Sequence, residues 1–263
     1  MTKSHLKYLL LISTALAMFI FLFSKPALPQ ELGYHLFVDT RSFFNIPNTL
    51  DVLSNLAFII VGFLGIKESL KLNSPVKMSW LAFFISIFLV APGSAYYHWN
   101  PNNFTLIWDR LPMSTGFMAL YIVMLAEHIS MKWTRALPFA LLIGLVSVVV
   151  WALTDDLRFY FWVQFSSFVT VPIILLAFRS TYSHKAWYGF TLLFYAIAKW
   201  TEIKDREIFM WSEEVVSGHT LKHLLAAIGL MGVWWMLKVR KKTSVATSTE
   251  SGSNPAPLVK KSV

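Results

Sequence analysis

Cysteine is absent from the 263 residues. That excludes a disulfide framework, an Fe–S cluster and a thiolate zinc site, so any transition metal must be held mainly by His, Asp or Glu. Charge is scarce as well. Asp, Glu, Lys and Arg make up 14% of the chain, against roughly 25% in an ordinary soluble domain. A basic stripe interleaved with aromatics is missing too, so the net charge of +9 does not point to nucleic acid. What is abundant is apolar: 56% of residues are hydrophobic and the mean hydropathy is +0.56. A disordered or fibrous protein and a soluble enzyme are excluded on those grounds, and the solvent expected for much of the surface is lipid.

A bilayer core of about 30 Å needs about 20 mostly apolar residues per helix. Eight runs qualify as candidates: 7–24, 51–68, 78–97, 111–128, 136–154, 160–178, 187–201 and 220–237. Trp80, Tyr96, Trp108, Trp133, Tyr160, Trp187 and Trp211 fall near their ends, as an aromatic belt requires. The runs are continuous rather than alternating, which argues for helices over a barrel. The expectation is an all-α polytopic membrane protein: residues 1–34 an N-terminal helix, 35–238 a seven-helix core, and 239–263 a basic, disordered tail. Lys3 and Lys7 before the first apolar run also suit a signal peptide. Its length and the lack of a small-x-small cleavage site favour a retained helix.

Basic residues set orientation. With the N-terminus inside, Lys67, Lys71, Lys77, Lys132, Arg135, Arg179 and Lys185 join the tail on the inner side. Most carboxylates, among them Glu31, Asp39, Asp51, Asp109, Asp155, Asp156, Glu202 and Asp205, fall outside. Both termini are therefore expected in the cytoplasm of a multi-pass cell inner membrane protein, under an acidic outer face.

Ionisable groups in or beside a membrane helix are costly and face the bundle interior or water. They cluster here. Ser94 and His98 are four apart at the outer end of the third run, and Asp109 opens the fourth. His219 and His223, also four apart, open the eighth, at the spacing two imidazoles need to share one metal ion. Two polar interface residues would explain such a pair equally well, and a helix cap would explain Asp109. A third histidine, His98, at the same expected depth points to three His ligands with a fourth position open, and Asp109 to a base that is not a ligand.

The pattern Ser94-x3-His98, Asp109, His219-x3-His223 resembles that of the alkaline ceramidases, in particular a bacterial ceramidase-like branch. They are seven-helix zinc membrane hydrolases related to adiponectin-type receptors. Asn48-Thr49-Leu50-Asp51-Val52-Leu53-Ser54-Asn55 is similar to the segment opening their first core helix, and Ser217 to His223 to their last-helix motif. The resemblance covers about residues 35–238. It implies that His98, His219 and His223 bind Zn²⁺, that Asp109 deprotonates the attacking water, and that Ser94 hydrogen-bonds the developing oxyanion. Eukaryotic relatives also carry an acidic calcium site near that first helix. Asp39, Asn48 and Asp51 stand there with different spacing, which leaves calcium open.

The expected function is zinc-dependent cleavage of the amide of a ceramide-like membrane lipid. A lipid esterase or phospholipase on the same core is the nearest alternative, because both reactions pass through a similar oxyanion. A receptor-like protein with structural zinc is the other, and it would need neither Ser94 nor Asp109. Around the site, Lys199, Glu202 and Asp205 are expected to form an ion network or touch substrate. Lys222 is expected to snorkel to the interface, and Arg110 to meet an acid or a lipid headgroup. Asp51, Ser54 and Asn55 are expected to cap and pack the first core helix, with an outer-site contact as the alternative. His5, His35, His128 and His184 are not expected to be ligands.

Overall fold

The computed structural model describes residues 3–243. Its helices are α1 (Lys3–Phe23), α2 (Thr49–Ser54), α3 (Leu56–Leu70), α4 (Lys77–Trp99), α5 (Asn103–His128), α6 (Leu137–Thr154), α7 (Arg158–Ala177), α8 (Ala186–Ile203), α9 (Asp205–Trp211) and α10 (Gly218–Val239). The described residues contain no strand beyond two isolated bridges. The protein is an all-α polytopic membrane protein.

Among the described residues, six helical segments are long and apolar enough to cross a membrane: His5–Phe23, Thr49–Leu70, Lys77–Trp99, Met131–Thr154, Arg158–Ala177 and Gly218–Val239. Two of the eight expected spans, α5 and α8, are not among them, and their place in the bundle explains it for α5. That helix packs against α4, α6 and α7, so much of its surface meets protein rather than lipid and can be polar. Small side chains let the neighbours close in. Ser114 and Ser147 meet at 3.0 Å and Ser86 and Thr115 at 3.1 Å. At the other side of the bundle α8 lies along α10, where Thr191 Oγ1 donates to the Gly229 carbonyl at 2.8 Å. α10 also packs on α3, and α3 on α4, while α1 lies outside the bundle against α7.

Two boundaries differ from the sequence expectation. α5 begins at Asn103, eight residues before the expected start at 111, because Asn102 and Thr105 form a reciprocal capping box. Asp109 thus sits in the second turn and is not a cap. The expected disordered tail from 239 is also corrected at its start. Val239 ends α10, and Arg240 to Thr243 run back along Thr181–Ser183, with Thr243 N–H donating to Thr181 O at 3.0 Å and Ser183 N–H to Lys241 O at 2.9 Å. Arg240 is drawn in by the buried Glu127, bonding both carboxylate oxygens at 2.6 and 2.7 Å. The remainder of the expected tail, 244–263, lies outside the described residues.

Candidate metal centre

The site forms at one end of the bundle, where the end of α4 meets the start of α10. His98 lies in the last turn of α4, and His219 and His223 lie in the first two turns of α10, so helical spacing stacks the latter pair on one face. All three are buried. A ligand nitrogen from each lies within 4.8 Å of the others, and the ring centroids are 4.8 to 5.0 Å apart. His98 Nε2 and His219 Nε2 are 3.3 Å apart. Two nitrogens each about 2.0–2.1 Å from one tetrahedral zinc ion would be separated by about that distance.

The surroundings orient the His223 ring and anchor the backbone that carries the other two. Ser54 Oγ lies 2.7 Å from His223 Nδ1, which leaves Nε2 for a ligand; outer partners of this kind fix the tautomer of a metal-binding imidazole. Asn48 Nδ2 donates to the His98 carbonyl at 2.7 Å. Ser217 caps α10 through the Thr220 N–H, and Thr220 Oγ1 donates to Asp51 Oδ1 at 2.6 Å, tying α10 to α2. Asp205 Oδ1 accepts the His219 N–H at 2.7 Å. A side chain at Gly218 would strike the Thr201 carbonyl at 2.1 Å, so only glycine lets α10 begin this close to α8. The donor set, its spacing and its outer partners fit a divalent metal ion with imidazole ligands.

Ser94, one turn before His98 on the same buried face of α4, lies beside the Asp109 carboxylate of α5. Backbone contact brings the pair together. Pro112 has no N–H for the Trp108 carbonyl, and that freed oxygen lies against Gly93, where a Cβ would stand only 2.2 Å from it. The five expected site residues therefore form two groups, the three imidazoles and the Ser94–Asp109 pair, joined through α4.

Several neighbours depart from expectation. Lys222 does not snorkel outward. Its ammonium reaches Glu202 at 3.0 Å and His219 Nε2 at 2.7 Å, because Glu202, itself paired with Lys199 at 2.5 Å, supplies an inward partner. Lys199 and Glu202 thus do form the expected ion pair, while Asp205 serves α10 instead. Arg110 makes no ion pair among the described residues. It bonds Gln30 Oε1 at 2.6 Å and stacks on Trp151 and Tyr160, with ring centroids 4.1 and 4.9 Å away. The residues considered for calcium are otherwise engaged, Asp39 with Arg41 at 2.7 Å, Asn48 with His98 and Asp51 with Thr220.

Sequence reasoning missed Phe37. Its ring lies 4.6 Å from that of His98 and 4.7 Å from that of His219, covering the histidines. The segment that carries it crosses the end of the bundle and is pinned on both sides. Gln30 N–H donates to Asp155 Oδ1 at 3.0 Å, and Arg41 donates to the carbonyls of Glu214 and Val215. No local pattern announces such a contact.

No protein-family model, curated protein or solved structure matches the chain.

Proposed function

We propose that the chain is a zinc-dependent membrane hydrolase that cleaves the amide bond of a ceramide-like lipid. The observation that carries this is the convergence of three buried imidazoles within 4.8 Å, one of them on α4, which also carries Ser94 one turn before His98 and beside Asp109 of α5, a hydroxyl–carboxylate pair for which a structural metal site has no use. His98, His219 and His223 would hold the metal, and three protein ligands are the set that catalytic zinc sites use. Bound Zn²⁺ would polarise the substrate carbonyl and make water a better nucleophile near pH 7. The substrate class rests on the resemblance of the five-residue pattern to alkaline ceramidases, and the extracytoplasmic placement on the basic residues of the opposite loops.

The chain's own residues divide the work. Asp109 accepts a proton from the attacking water, whose oxygen bonds to the acyl carbon. The C–N bond then breaks, the amine nitrogen takes the proton, and the products are a carboxylate and an amine. Ser94 steadies the Asp109 carboxylate at rest and turns its hydroxyl to the carbonyl oxygen as negative charge gathers there. Phe37 and the segment around it keep bulk water off the histidines, so a lipid reaches them laterally, from between the helices.

The test is zinc content and lipid hydrolysis measured on the same variants. Asp109→Asn keeps its size but cannot accept the proton, so zinc stays bound and turnover of a ceramide-like amide falls by a factor on the order of 10² to 10⁴. His219→Ala loses both zinc and turnover. Full activity in zinc-loaded Asp109→Asn would remove the base role. A wild type that holds zinc but cleaves no lipid amide or ester would leave a receptor-like protein.

A further inference from the structure

Among the described residues, Lys222 is the one cation hydrogen-bonded to an imidazole of the cluster. Its ammonium donates to His219 Nε2 at 2.7 Å, the nitrogen that faces His98 Nε2 at 3.3 Å. It therefore occupies the lone pair that a metal ion would use. The side chain is 19% exposed and is held from behind by Glu202 at 3.0 Å, with Lys199 as the second cation on the same carboxylate. The charge of Lys222 reaches Asp51, Asp109 and all three histidines, so it is central to the site rather than on its rim.

A divalent ion on His219 Nε2 and an ammonium beside it repel unless something negative lies between them. A metal ion on that nitrogen would free the ammonium from the imidazole, while Glu202 keeps the ammonium in place and leaves it donors to spare. On the hydrolase reading above, on which this rests, the group that arrives there is an acyl carbonyl that becomes a carboxylate. We infer that Lys222, positioned by Glu202, is a substrate-binding residue that donates a hydrogen bond to the acyl oxygen and holds the fatty carboxylate product. Glu202 is its positioning residue. Asp109, on α5, handles the proton, and Lys222, on α10, shares the negative oxygen with the Ser94 hydroxyl.

The test separates this from turnover by substituting Co²⁺ in the full-length protein in detergent and titrating with decanoate, reading the visible absorption of the cobalt. Lys222→Met should bind one Co²⁺ as the wild type does, while the apparent Kd for decanoate rises roughly 10- to 100-fold, the loss expected for one charge-assisted hydrogen bond. Lys222→Arg, which keeps the charge, should recover part of that loss. Unchanged decanoate affinity in Lys222→Met overturns the inference, and so does loss of cobalt from that variant, because the lysine would then be holding the site together. A wild type that takes no cobalt overturns it along with the metal site. Lysine-dependent decanoate binding in a protein that hydrolyses no lipid would leave Lys222 as a carboxylate donor and remove only the hydrolase.

Discussion

Glu127 and Arg240 lie at the opposite end of α10 from the histidines, about 30 Å away by helical rise. Their side chains are 1% and 3% exposed. Two hydrogen bonds of 2.6 and 2.7 Å join them, Trp80 Nε1 donates to the same Glu127 Oε1 at 2.8 Å, and the Tyr182 ring covers the guanidinium at 4.1 Å. Either single change, Glu127→Leu or Arg240→Met, strands a buried charge, which costs about 3–5 kcal/mol. At about 2–4 °C per kcal/mol for a chain of this size, the midpoint of thermal unfolding should fall by roughly 6–20 °C. The double variant removes both charges and leaves only the Trp80 N–H without its partner, a loss of about 1–3 kcal/mol. It should therefore be more stable than either single variant. The assay is thermal unfolding in one detergent at one scan rate, with zinc content followed in parallel and expected to persist below each midpoint. If the two single losses simply add in the double variant, the pair is not coupled and the reasoning is wrong.

Two further outcomes follow from the contacts at the other end. Ser54→Ala removes the partner of His223 Nδ1 and should weaken zinc affinity by roughly 10- to 100-fold, measured by competition with a chromogenic chelator; unaltered affinity would mean that Ser54 does not orient the ring. Asp156, in the loop before α7, accepts hydrogen bonds from Arg158 and from the Leu28 N–H, and the Arg158 guanidinium holds its carboxyl below the usual carboxylate value of 3.8. A depressed folded pKa contributes stability that is fully present above the unfolded value and is lost as pH falls through the folded one. Proteolysis of the link after α1, followed from pH 5 down to 3, should therefore accelerate toward the acid end in the wild type, whereas Asp156→Asn should already be fast at pH 5. Equal rates for the two proteins across that range would refute the tie.

Much of the fold was legible because lipid demands it. A span must be continuously apolar, and that is a local property of the sequence. Residues 103–110 break their apolar side chains with Asn, Thr, Asp and Arg, so hydropathy places the start of α5 too late, although the Asn102–Thr105 capping box is visible in the sequence. The histidines were legible through a four-residue spacing and the absence of cysteine. Ser54, Lys222 and Phe37 were not, since each acquires its role from a long-range contact. Ser54 is 169 residues from His223, and Lys222 turns inward only because Glu202, twenty residues earlier, is waiting on α8. Arg240 looked like one more basic tail residue until Glu127, 113 residues away, gave it a buried partner.

The division of the site between α4 and α10 has a consequence for how the protein comes into being. A chain emerges from the ribosome N-terminus first, so α4 with Ser94 and His98, and α5 with Asp109, enter the membrane early. His219 and His223 arrive 121 residues or more after His98, on the last of the described helices. Until then Ser54 lacks its imidazole and Asp51 lacks the Thr220 hydroxyl that joins α2 to α10. Until α10 is made, the chain therefore holds one imidazole of the three-histidine cluster. The tie from Thr220 to Asp51 and the Arg240–Glu127 pair close only once α10 and the residue after it have been made.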